Sequence, residues 1–154
     1  MKSILRFDGY NINKMLYIRN TKFWDKIDEI DDKDIDLTPK FEFLLIIDKT
    51  ENYKKAVIKI NTTIGNEEET VLSPFYVAIE IEGKFKIERE DITKEEIIEL
   101  VKYNGTAILY PYLRSIVTDI TSKGEHQPII LPTMNIGHFV DSFEKSGKKF
   151  IIEK

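Results

Sequence analysis

The chain has 154 residues, no cysteine, two histidines and a formal net charge of −4. That length suits a single domain, able to bury roughly 68–70% of the surface its unfolded chain exposes. The missing cysteines exclude a disulfide framework, a thiolate zinc site and a cysteine nucleophile, and the acidic balance argues against nucleic acid as the main partner, because phosphate binding needs a basic face.

Residues from about Leu5 to Ile18 read as a first strand region, with Met15, Leu16, Tyr17 and Ile18 offering apolar groups to both faces. Lys22 to Pro39 holds Phe23 and Trp24 followed by a run of aspartates, and reads as a long crossover loop containing a helical turn. Phe41 to Asp48 is a second strand, apolar on both faces. Tyr53 to Ile64 alternates, with Val57 the exception, and Gly65-Asn66 marks a turn. Phe75 to Ile87 alternates over its whole length, the mark of a half-buried strand. Gly83 within it predicts a bulge or bend.

Helical spacing takes over after about residue 90. Thr93-Lys94-Glu95-Glu96 fits a capping box, in which threonine and glutamate satisfy backbone donors reciprocally. Asn104-Gly105 is expected to stop that helix. A second helix is predicted from about Thr106 to Lys123, ended by Gly124 and kinked by Pro111. Its apolar surface is wider than one sheet requires, which predicts a further contact, such as another subunit. Ile136, Phe139, Val140 and Phe143 recur at helical spacing in a short last helix. Strands followed by helices define an α+β class: a four-stranded antiparallel sheet, then a long helix and a short C-terminal one. The expected organisation is one domain over 1–154, with strands at about 4–88 and helices at about 94–146.

No targeting signal emerges, because Arg6 and Asp8 interrupt the first apolar run. No segment approaches the roughly 18 apolar residues of a span, so a cytoplasmic location without direct membrane insertion is expected. His126 and His138 lack metal-ligand spacing. The Asp25–Asp36 run lacks the glycine and terminal glutamate of a calcium loop. There is no phosphate-binding glycine motif and no serine–histidine arrangement of known spacing. The reading is therefore no metal, no cofactor and no enzyme activity. Surplus apolar surface stands out instead, and such surface marks interaction sites.

Asn104-Gly-Thr-Ala-Ile-Leu-Tyr-Pro-Tyr-Leu-Arg-Ser-Ile-Val-Thr-Asp-Ile-Thr-Ser-Lys-Gly124, continued by Pro128-Ile-Ile-Leu-Pro132 and Asn135-Ile136, resembles the SecB family of export chaperones. Tyr110-Pro111-Tyr112-Leu113-Arg114 fills the place of the family's aromatic-Pro-Tyr-x-Arg core. Ser122-Lys123-Gly124 and Met134-Asn135-Ile136 fill the two motifs that follow it. The match is specific over about 35 residues.

The resemblance implies a homotetramer built as a dimer of dimers, with Val77, Ile79, Ile81, Ile108, Tyr112 and Ile116 at its interfaces. It implies a client groove lined by Phe23, Trp24, Phe41, Phe43, Ile136, Phe139 and Val140. It also implies an acidic face for the SecA translocation motor, where Glu80 and Glu82 remain but Ala78 replaces a glutamate. Lys148 to Lys154 differs from the family's flexible polar tail. The implied function is an ATP-independent holdase that keeps unfolded preproteins export-competent or protects a dedicated client such as an antitoxin. The alternative is an adaptor on the same fold that binds one folded partner.

Overall fold

The structure, a computed structural model, describes residues 4–68 and 72–154. Five strands form one mixed sheet: β1 (Leu5–Arg19), β2 (Lys40–Ile47), β3 (Lys55–Gly65), β4 (Phe75–Ile87) and β5 (Ile151–Glu153). Their spatial order is β1-β4-β3-β2-β5. All neighbours are antiparallel except β5, which runs parallel to β2. The expectation of four antiparallel strands therefore lacked β5, which is only three residues long and too short to show a period.

Alternation is faithful in β3 and β4. Ile58, Ile60, Ile64, Val77, Ile79, Ile81 and Phe85 line one face and are wholly or almost wholly buried. Each such side chain contributes roughly 1.5–3 kcal/mol of burial free energy. The opposite, open face carries Lys55, Lys59, Glu80, Glu82, Lys84 and Lys86. The sheet's irregularities lie in β1, not at Gly83. Register shifts fall between Phe7 and Tyr10 and between Ile12 and Lys14, with Gly9 in the left-handed region at φ 99°. Gly83 keeps regular pairing with Ile58. A side chain there would stand 3.0 Å from Leu109 of the overlying helix.

The crossover after β1 opens with α1 (Thr21–Asp25), capped by the Asn20 side chain, and continues through two single 3₁₀ turns, Ile27–Glu29 and Asp32–Asp34. Beyond the sheet, α2 (Lys94–Leu100) begins at the predicted box: the Thr93 hydroxyl accepts from the Glu96 amide at 3.1 Å. Asn104-Gly105 does not stop it. The helix passes through a π turn, Val101–Gly105, directly into α3 (Thr106–Thr121), and Gly105 itself is helical at φ −63°, ψ −44°. The glycine serves packing instead, because a Cβ there would meet Ile58 at 2.8 Å. Each glycine leaves room for a side chain of the facing layer, Leu109 over Gly83 and Ile58 under Gly105, so the helix lies close on the sheet.

Helix α3 continues through Pro111 and ends at Thr121, capped at Ser122, slightly before the expected stop at Gly124. Gly124 lies against the hydroxyl of Tyr17, where a Cβ would collide. The chain then runs back along α3, tied down by residues of the family-like motif. The Tyr110 hydroxyl donates to Pro132 O at 2.7 Å, Arg114 Nε to Leu131 O at 3.0 Å and Thr118 Oγ1 to Ile129 O at 3.0 Å. These bonds hold Leu131 fully buried and deliver the chain to α4 (Ile136–Lys145), capped by Asn135.

Gly105→Ala separates two opposing effects. Helix propensity favours alanine by about 1 kcal/mol, while overpacking costs about 1–3 kcal/mol. The expected result is a lower urea midpoint with unchanged slope. An equal or higher midpoint would remove the close contact as the reason for this glycine.

Candidate functional site

The candidate site follows from the arithmetic of one strand edge. Strand β2 spans Lys40–Ile47, but β5 pairs only with Leu45 to Ile47. The Leu45 amide donates to Phe150 O at 2.7 Å, and Ile47 O accepts from the Lys154 amide at 3.0 Å. Alternate residues of an antiparallel strand direct their main-chain groups to the same side. Phe41 and Phe43 therefore also direct N–H and C=O away from β3. Among the described residues no strand pairs with that stretch, which leaves a short open edge.

A cleft of about 540 Å³ lies along it, lined by Phe41, Phe43 and Leu44 of β2, Phe143 of α4, and Lys148, Lys149 and Phe150 of the last segment. Its walls are aromatic. Phe43 stacks on Phe143 with ring centres 5.5 Å apart and meets Phe150 edge-on at 5.7 Å. Phe41 meets Phe139 edge-on at 5.3 Å, and Phe139 meets Phe143 at 5.1 Å. The floor turns polar toward the open face of the sheet, where Glu42, Asn61 and Glu80 also line the cleft. Asn61 Oδ1 is buried and has no hydrogen-bond partner. Glu42 and Glu80 pair with it across the sheet, and carboxylates supply no donor.

Two polar clasps hold α4 over the cluster, and both come from the π turn. Lys102, only 5% exposed, donates to Glu144 at 2.5 Å and to Glu99 at 2.8 Å. The Tyr103 hydroxyl donates to Asp141 at 2.8 Å. Burial pulls the Lys102 pKa down, but the two bonded carboxylates outweigh it and leave it raised. A lysine raised on folding contributes fully below its ordinary pKa and loses that contribution only as pH rises through the folded value. The clasp therefore persists across neutral pH.

The expected groove residues divide. Phe41 and Phe43 line the cleft. Phe139 backs it through ring contacts, and Val140 is closed into the core. Ile136 packs partly buried against that core without lining the cleft. Phe23 and Trp24 lie elsewhere. Phe23 is buried, and the Trp24 indole donates to Pro74 O at 3.0 Å beneath the Arg19 guanidinium. Arg19 in turn pairs with Glu125, whose carboxyl it holds below the usual range.

The expected interface residues divide as well. Val77, Ile79 and Ile81 are 0% exposed within the chain and present no surface to a second copy. The strand period was read correctly, but it was the helix layer of the same chain that covered this face. Ile108, Tyr112 and Ile116 form a partly exposed stripe on α3. Tyr112 is 40% exposed and stacks with Tyr10 and Phe7 of β1, and Ile12 and Met15 of β1 are exposed as well. Glu80 accepts from Asn13 at 3.1 Å, and Glu82 lies 3.7 Å from Lys59. The proposed acidic face is therefore interleaved with lysines. The sequence reading passed over Phe150 and the Lys102 and Tyr103 clasps; the π turn that aims them has no signature in sequence.

An aromatic cleft along an open strand edge is a geometry that can accept an extended peptide, and among the described residues no group of histidine or acidic side chains is placed to hold a metal. A model of the SecB family, described as preprotein translocase subunit SecB, matches residues 32–146. The chain belongs to the SecB family. It is 29% identical over 144 residues to the uncharacterized protein MJ0357 of Methanocaldococcus jannaschii, covering 94% of this chain and 87% of that one. Its fold is similar to that of the Mycobacterium tuberculosis SecB-like chaperone Rv1957, solved with a ChAD peptide from the HigA1 antitoxin, at a TM-score of 0.57 and 19% identity, over 85% of this chain and 91% of that one. No helix of the described residues is long and apolar enough to cross a membrane.

Glu144→Gln leaves the buried Lys102 with a weaker partner. The expected loss is about 1–3 kcal/mol of stability, the range for hydrogen bonds to charged groups. The difference in urea midpoint from the wild type should stay constant from about pH 6 to about pH 9. An unchanged midpoint would show that α4 is held by its apolar face alone.

Proposed function

We propose that the chain is an ATP-independent chaperone that holds non-native polypeptide in extended form. The open edge at Phe41 and Phe43 carries this reading. An unfolded client exposes the two things the edge can bind: unpaired main chain and apolar side chains. Main-chain bonds to β2 give affinity that is indifferent to sequence. Burial of client side chains against the aromatic walls adds roughly 25 cal/mol per Å². Each contact is weak, so a client can be released without nucleotide hydrolysis. Binding the unfolded state and keeping it out of aggregation is a mass-action effect.

The cleft is short, and Phe43, Phe139 and Val140 are already packed. That compactness favours one dedicated client over a broad range of preproteins. The antitoxin peptide bound by the Mycobacterium protein is an example of such a client within the fold. The lysines around Glu80 and Glu82 weigh against docking of a SecA motor that seeks an acidic face. The exposed stripe of Ile108, Tyr112 and Ile116, with Ile12 and Met15 beside it, supports assembly through α3 and β1 into the family's dimer or tetramer. A cytoplasmic location accords with this role.

Static light scattering of an aggregating unfolded protein, without ATP, tests the reading. Suppression near stoichiometric amounts is expected, and Phe41→Asp should abolish it. Wild-type protein without effect on any client would defeat the reading. Trp24 is the sole tryptophan, and it lies away from the cleft. Client binding should leave its emission unchanged, whereas a blue shift would draw the crossover loop into the client site. Tyr112→Glu should convert the assembly to a smaller species in sedimentation velocity; an unchanged sedimentation coefficient would move the interface elsewhere.

A further inference from the structure

The last segment of the chain already occupies part of the edge assigned to the client. After α4 the chain turns at Gly147, left-handed at φ 75°. Lys148, Lys149 and Phe150 then line the cleft, and Ile151 to Glu153 pair with β2 alone. Phe150 is 8% exposed and lies between Phe43 and the main chain of Leu45.

We propose that this segment is an internal stand-in for the client, and that the β2 edge selects an extended peptide of the same pattern: an aromatic, then β-branched apolar residues, aligned parallel to β2. The proposal rests on the chaperone reading and specifies its ligand. Each element of the pattern has a counterpart in the cleft. The aromatic fills the slot against Phe43, where Phe150 lies edge-on. The β-branched residues continue the ladder along Leu45 to Ile47. Three parallel residue pairs, the Lys94–Glu153 ion pair and the buried Phe150 hold the segment; its ladder is short, and parallel pairing is less stable per residue than antiparallel. A client with the same pattern and a longer paired stretch displaces the segment. Occupancy by the segment lowers the apparent client affinity by the fraction of molecules in which the edge is free.

Fluorescence anisotropy tests this with a labelled peptide of sequence Lys-Lys-Phe-Ile-Ile-Glu-Lys, the sequence of residues 148–154. Ile152→Pro removes a ladder donor from β5 and leaves Phe150 intact; Phe150→Ala empties the aromatic slot and keeps the ladder. Each variant is expected to bind the peptide at least about fivefold more tightly than the wild type, as release of a competing segment requires. A peptide with Phe replaced by Ala should bind at least about fivefold more weakly to the same variants. For the wild-type chain, excess unlabelled peptide should abolish suppression of client aggregation. If the wild type suppresses aggregation but both variants bind the peptide no better, the segment is a fixed wall of the cleft; the inference fails and the chaperone reading stands. If the wild type neither suppresses aggregation nor binds an unfolded protein, both fail together.

Discussion

The architecture depends on how closely α3 can lie on the sheet. Two glycines set that distance, Gly83 on β4 and Gly105 at the start of α3, with Leu109 and Ile58 reaching across. A dense interior has no room for an added methyl group without displacing a neighbour. This contact closes the odd-numbered face of β4 within a single chain. The helix keeps turning through Asn104-Gly105, and it does so as a π turn. A π turn shifts the side chains that follow it, and in this chain it aims Lys102 and Tyr103 at α4.

From that constraint the site follows. Tyr110, Arg114 and Thr118 hold the returning chain along α3, and Lys102 and Tyr103 clasp α4. Phe139 and Phe143 are thereby brought over the first half of β2. The family-like motif is in this sense a scaffold. Its tyrosine and arginine touch carbonyl groups of their own chain, and they fix where the aromatic walls stand rather than forming them.

An open strand edge is ordinarily a hazard, because it invites pairing with any extended chain. This fold manages the two edges of its sheet differently. On β1, two bulges twist the strand and an exposed apolar stripe lies beside α3. On β2, a short parallel strand covers three residues and leaves the aromatic end open. The same physics that makes a bare edge prone to aggregation would give the proposed chaperone its affinity for unfolded chains.

The strands β2, β3 and β4, the capping box at Thr93 and the last helix were legible from period and capping chemistry alone, because those signals are local. So was the surplus of apolar surface on α3. The motif from Tyr110 to Asn135 placed the chain in its family because it is a long, specific arrangement. Whether a given apolar residue was surface or core was not legible. Val77, Ile79 and Ile81 have the same alternation whether a second subunit or the chain's own helix covers them. Phe23 and Trp24 look like ligand-facing aromatics until Pro74 and Arg19 are brought to them from distant parts of the chain. The open edge of β2 exists only because β5 pairs from Leu45, five residues into the strand, and pairing register is a relation between segments about a hundred residues apart. Local chemistry therefore determined the elements and the kind of protein; long-range packing decided which of its apolar residues line the cleft and which are closed into the core.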